Sequence, residues 1–72
     1  MAKEQLARFG RNVRRARQRL GISQEELAHR AGPHRTYVGG VERGERNISL
    51  LNIVKLAHAL DVNPSRLLRS IE

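Results

Sequence analysis

The chain has 72 residues, 14 of them lysine or arginine against 7 acids, for a formal net charge of +7; this suits one domain, 1–72, near the lower size limit for a self-supporting core, and an acidic partner, most commonly nucleic acid. Without cysteine it has no disulfide or thiolate metal site, and His29, His34 and His58 lack the spacing of a ligand set, so no metal and no cofactor is expected. No apolar run approaches the roughly 20 residues of a membrane span, and no signal-peptide segment opens the chain, which predicts a soluble cytoplasmic protein.

Residues 3–20 carry the first helical pattern. Leu6, Phe9, Val13, Ala16 and Leu20 recur at steps of three and four and form one apolar stripe. The other faces present Arg8, Arg11, Arg14, Arg15, Arg17 and Arg19, with Glu4 the only acid. A solvated basic face would keep the chain soluble. So many like charges on one helix repel, however, unless something anionic neutralises them, and phosphate attraction is the favoured explanation for the set. Gly10 weakens this helix by up to about 1 kcal/mol, and Gly21 is its natural stop.

The second pattern, 24–31, begins with a capping signal. Ser23 stands at the N-cap and Glu26 three residues on, the spacing of a capping box. Leu27, Ala28 and Ala31 are its apolar positions. Gly32 can take the positive φ that ends a helix, and Pro33 cannot easily continue one. A third pattern, 35–43, puts Tyr37, Val38 and Val41 on one side. The small Ala28 lets the two helices cross closely while Val38 and Val41 bury the inner face, which is the arrangement of a helix-turn-helix. The outer face then offers His34, Arg35, Thr36, Gly39, Gly40 and Arg43, a surface shaped for a DNA groove.

A polar loop, Arg43 to Asn47, follows. Ser49 can cap a fourth helix, 50–60, with a broad apolar face of Leu50, Ile53, Val54, Leu56, Ala57 and Leu60. Asn63-Pro64 pairs a capping side chain with a proline suited to the first helical position, and opens a fifth helix, 64–70, carrying Leu67 and Leu68, with Ile71 just beyond. No segment reads as a strand. The expected fold is all-α, five short helices in one compact domain. One recognition helix reads too few base pairs to find a single site, which points to a homodimer on half-sites one helical turn apart. The surplus apolar residues Ile53, Leu68 and Ile71 are the candidate dimer interface, while Leu67 is assigned to the core. Nothing resembles a nucleophile–base pair or an enclosed pocket, so the chain is not expected to be an enzyme.

The joint motif resembles the lambda-repressor-like, Cro/C1-type helix-turn-helix family. It comprises Leu20-Gly21-Ile22-Ser23-Gln24-Glu25-Glu26-Leu27-Ala28, Gly32, Tyr37-Val38, Val41-Glu42-Arg43-Gly44 and Leu56-Ala57-x-Ala59-Leu60-x-Val62, and spans roughly Val13 to Leu68. Within the family, the run from Arg35-Thr36-Tyr37 to Arg46-Asn47 is most similar to the controller proteins of restriction-modification systems.

That resemblance implies roles for particular residues. His34, Arg35 and Thr36 would reach base edges, arginine offering a two-pronged donor to guanine and threonine a donor, an acceptor or a methyl contact. Gln24 would bind a phosphate at the start of the second helix, with Tyr37, Arg43 and Arg46 on flanking phosphates. Glu42 would pair with Arg17 and align it toward the backbone, as structural support beside Ser23 and Glu26. Gly40, with Gly39, leaves the middle of the recognition helix without side chains, so that it would approach the bases closely and leave part of the specificity to DNA shape. The implied function is a transcription regulator binding a palindromic double-stranded operator, controlling its own operon by activation and repression, with RNA polymerase as a further partner. An antitoxin-type protein that binds a partner toxin and autoregulates its operon is the alternative. A general binder of RNA or anionic membrane would rest on the basic first helix alone, and the scarcity of aromatics argues against stacking on single strands.

Overall fold

The structure, a computed structural model, describes residues 2–32 and 34–72, with Ala2 described by its backbone alone; the expected stop at Pro33 lies outside the described residues. Among the described residues five helices follow one another: α1 (Ala2–Leu20), α2 (Gln24–Ala31), α3 (Arg35–Glu42), α4 (Leu50–Ala59) and α5 (Pro64–Leu67). The all-α, five-helix fold expected from the sequence is the one observed.

Local signals explain most of the boundaries. The Ser23 Oγ accepts the Glu26 amide at 3.0 Å and starts α2, and Gly32, at φ 99°, ends it by donating its N–H to the Ala28 carbonyl. Only half of the expected capping box forms, because the Glu26 carboxylate takes the Arg30 Nε at 2.9 Å. The Ser49 Oγ caps α4 through the Asn52 amide at 3.2 Å, and the Asn63 Oδ1 caps α5 through Ser65 at 3.0 Å. Helix α3 lacks such support, since its N-cap His34 makes no side-chain capping bond.

Three helices end earlier than their patterns predict. Helices α3 and α4 each stop one residue short, whereas α5 stops at Leu67, three short of Ser70. The cause at α5 is distant in sequence. The Asn12 Nδ2 donates to the Leu67 carbonyl and to the Arg69 carbonyl, both at 2.9 Å; the Leu67 carbonyl is the one Ile71 would need for the helix to reach Ser70, and the Ile71 N–H goes instead to the Leu68 carbonyl at 3.3 Å. The chain leaves α5 through Ser70 in the left-handed region, at φ 63°.

The core joins Phe9, Val13 and Ala16 of α1 to Leu27 and Ala28 of α2, Val38 and Val41 of α3, Leu56, Ala57 and Leu60 around α4, and Leu67 of α5. Each fully buried leucine or valine stabilises the fold by roughly 1.5–3 kcal/mol. Ala28 is buried at the α2–α3 crossing and Leu67 in the core, both as expected. Leu50 departs from expectation: counted on the apolar face of α4, it is 68% exposed, and its neighbour Leu51 is 72% exposed. Gly10, which looked like a weakness in α1, is where that helix meets α3. A Cβ there would stand 2.4 Å from the Val41 carbonyl oxygen and 2.5 Å from that of Glu42. Only glycine permits this approach, so α1 is fitted to the C-terminal end of the third helix.

Candidate nucleic-acid interface

The third helix hangs from Glu42. Its carboxylate accepts the Arg17 Nε at 2.7 Å, the Arg17 Nη2 at 3.1 Å and the Gln24 Nε2 at 3.0 Å, and its side chain is only 3% exposed. One acid thereby ties α1, α2 and α3 together. Arg17 gives a third donor, Nη1, to the Ile22 carbonyl at 2.9 Å. Three of its five N–H groups are engaged within the protein, and its side chain is 13% exposed. The expected Glu42–Arg17 pair is therefore present, and Arg17 serves first as a strut. Among the described residues every buried side-chain nitrogen or oxygen has a partner.

With its inner face in the core and its C-terminal end braced, α3 presents its first turn. His34, Arg35 and Thr36 are all exposed. Gln24 is half-buried at the start of α2, its amide nitrogen on Glu42. Tyr37 is half-buried as well; its hydroxyl is a long 3.5 Å from the Asn52 Nδ2, and the Arg46 guanidinium lies over its ring at 5.1 Å from the centroid. Arg43 is exposed and chelates Glu45 through Nε at 3.0 Å and Nη2 at 3.2 Å. This hydrogen-bonded pairing holds the Glu45 carboxyl below the usual carboxylate range and raises Arg43 further. The Arg30 hydrogen bond does the same to Glu26.

The middle of the helix differs from expectation. Gly39 and Gly40 were assigned to the open outer face, and Gly40 to the bases, but both are buried. Gly40 lies beneath the Arg46 side chain and Gly39 beneath the tip of Arg43 and beside Gln24, because the absent Cβ atoms leave room for those chains. With Arg46 over it, Gly40 does not offer the close approach to the bases expected of it.

The residues assigned to a dimer face do come together. Ile53, Leu68 and Ile71 line an apolar groove of about 330 Å³ with Leu6, Phe9 and Ile48. Leu68 is 42% exposed, while Ile53 and Ile71 are half-buried against the core. Leu51, which the apolar face read from the sequence omits, is 72% exposed. At about 100° per residue, Leu51 stands roughly 140° from Leu56 and 180° from Leu60, off the stripe those two set.

A family model for the helix-turn-helix matches residues 13–67. Over 61 residues the chain is 49% identical to the control protein C.BamHI of Bacillus amyloliquefaciens, covering 83% of this chain and 75% of the relative. The crystal structure of the restriction-modification controller protein C.AhdI from Aeromonas hydrophila superposes with a TM-score of 0.87 at 54% identity, over 90% of this chain and 94% of that one. The controller protein C.Esp1396I, solved as a tetramer in complex with its natural 35 base-pair operator, matches with a TM-score of 0.82 at 25% identity, over 93% and 88% of the two chains. By its motif, its fold and these relatives, the chain belongs to the Cro/C1-type helix-turn-helix family of DNA-binding transcription regulators, among the controller proteins of restriction-modification systems.

Proposed function

We propose that the chain is the controller of a restriction-modification operon that binds a palindromic operator as a homodimer. The observation that carries this is the exposed first turn of α3, held on a braced helix. In this reading Arg35 and Thr36 read base edges, with His34 beside them. Gln24, Tyr37, Arg43 and Arg46 take phosphates, which fix register without carrying sequence. Arg17 supports them through Glu42. Two copies meet through Ile53, Leu68 and Ile71, with the exposed Leu50 and Leu51 of α4 as further apolar surface, and so set two recognition helices against half-sites about one turn apart. Filling one site would recruit RNA polymerase to the operon, and filling a second would block it. C.Esp1396I has been solved as a tetramer on its operator, which supports extending that logic to this chain.

Selection of bound duplexes from a random pool at about 0.15 M salt tests the reading, because that ionic strength suppresses nonspecific phosphate binding. The expected product is an inverted repeat with one-turn spacing between half-sites. A pool that stays unenriched, despite binding at low salt, would reduce the protein to a nonspecific polycation.

A further inference from the structure

Two interior glycines are costly in a helix of eight residues, and the loop that follows shows what they accommodate. After α3 the chain reverses through a Schellman closure. Gly44, at φ 77°, donates its N–H to the Val41 carbonyl at 3.0 Å, and Glu45 donates to that of Gly40 at 2.9 Å. This reversal carries Arg46 back over the outer face of the helix it has just left. A Cβ on Gly40 would stand 3.0 Å from the Arg46 Nε, 3.4 Å from its Cγ and 3.5 Å from its Cδ. The guanidinium meanwhile lies over the Tyr37 ring, one turn back along α3, at 5.1 Å from the centroid. The Arg46 side chain is thus laid along a track with glycine backbone beneath it and an aromatic face at its end.

We propose that Gly40 is the seat that positions Arg46 across the middle of the recognition helix, so that this loop arginine replaces the missing mid-helix side chains as the group that meets DNA. Gly40 acts through Arg46 and touches no DNA itself. The arrangement solves a geometric problem. A side chain grown from position 40 would project outward from the helix, whereas an arginine arriving from the loop lies across it, its Nε, Cγ and Cδ within 3.5 Å of where that Cβ would stand. A planar guanidinium held on an aromatic ring loses little further freedom when it binds an acceptor. Gly39 is less demanding, since its absent Cβ would meet the far end of Arg43, at 3.1 Å from Nη1, and that tip can move aside. The inference rests on the chain being an operator-binding protein, as proposed above.

A double-mutant cycle on the selected operator tests it, with Gly40→Ala, Arg46→Ala and the pair, each followed by thermal unfolding and by affinity across a salt series. Gly40→Ala is expected to weaken operator binding roughly tenfold without lowering Tm, because alanine favours the helix while displacing Arg46. Arg46→Ala is expected to weaken binding at least as much. The double variant should bind no worse than Arg46→Ala alone, and Gly40→Ala should change the salt slope by the same amount as Arg46→Ala. A Gly40→Ala penalty that persists in full without Arg46 would mean that the helix backbone itself approaches DNA, and would overturn the proposal. So would an unchanged affinity in Gly40→Ala. If the wild-type chain selects no operator at all, the underlying reading fails and the seat is not at issue.

Discussion

Glu42, the last residue of α3, and Glu45, in the reversal just beyond it, illustrate how surroundings divide the work of identical side chains. Glu42 is sealed between Arg17 and Gln24, so its removal would leave a buried guanidinium without its counter-ion. Losing one partner of a buried pair costs about 3–5 kcal/mol, a large share of the stability of a small domain. Glu42→Ala is therefore expected to shift the denaturant midpoint sharply downward, and a midpoint within error of wild type would refute the three-helix tie. Glu45 is exposed and holds Arg43 by an ion pair of little net worth to the fold. It also places a negative charge beside residues proposed to take phosphates. Glu45→Gln should leave Tm unchanged while tightening DNA binding by roughly two- to fivefold, most visibly at low salt. Weaker binding would mean that Arg43 needs Glu45 to be positioned. The low carboxyl pKa of Glu45 arises from Arg43, so the small contribution of that pair is present above the ordinary glutamate pKa and fades as pH falls through the lower folded value.

The recognition helix is helical mainly because of what lies beneath it. Eight residues, two of them interior glycines, with no side-chain cap, would not persist alone in water. Its stability comes from Val38 and Val41 in the core and from α1, which meets its last carbonyls at Gly10. Gly10→Ala would improve the intrinsic propensity of α1 by up to about 1 kcal/mol, yet backbone oxygens at 2.4 and 2.5 Å cannot yield as a side chain would. The net expectation is a loss of about 1–3 kcal/mol, or a fall in Tm of several degrees; a rise in Tm would show that the two helices can separate at no cost. This contrast also explains what the sequence could disclose. Helix starts at Ser23, Ser49 and Asn63-Pro64 are written in neighbouring residues, and the turn between α2 and α3 in a compact motif. The Glu42–Arg17 pair was accessible only through family resemblance. The shortening of α5 by Asn12, the fit at Gly10 and the path of Arg46 over Gly40 depend on chain reversals or on partners tens of residues away, which no local periodicity encodes.

For the whole molecule, the exposed leucines become intelligible when a second copy is considered. Leu50, Leu51 and Leu68 are left exposed beyond the core on which Ile53 and Ile71 are packed. Burying such side chains between two copies would relieve a chain too small to conceal all its apolar surface. Replacing Leu51 and Leu68 together by aspartate should give a monomeric mass at tens of micromolar and reduce operator affinity by about a hundredfold, the loss expected when two linked half-sites are no longer engaged together. As both side chains are substantially exposed, folding of the monomer should persist, and a stable dimer in this variant would move the interface elsewhere. Three residues at the start of α3 lie apart from all this. His34, Arg35 and Thr36 are exposed and outside the core, while the centre of the helix is already covered by arginines of the same chain. Surface substitutions of that kind usually alter stability by no more than about 0.5 kcal/mol. A lineage of such regulators could then exchange one operator for another through a single helical turn, with no compensating change in the core, and two descendants sharing a cell could become insulated from each other within a few substitutions.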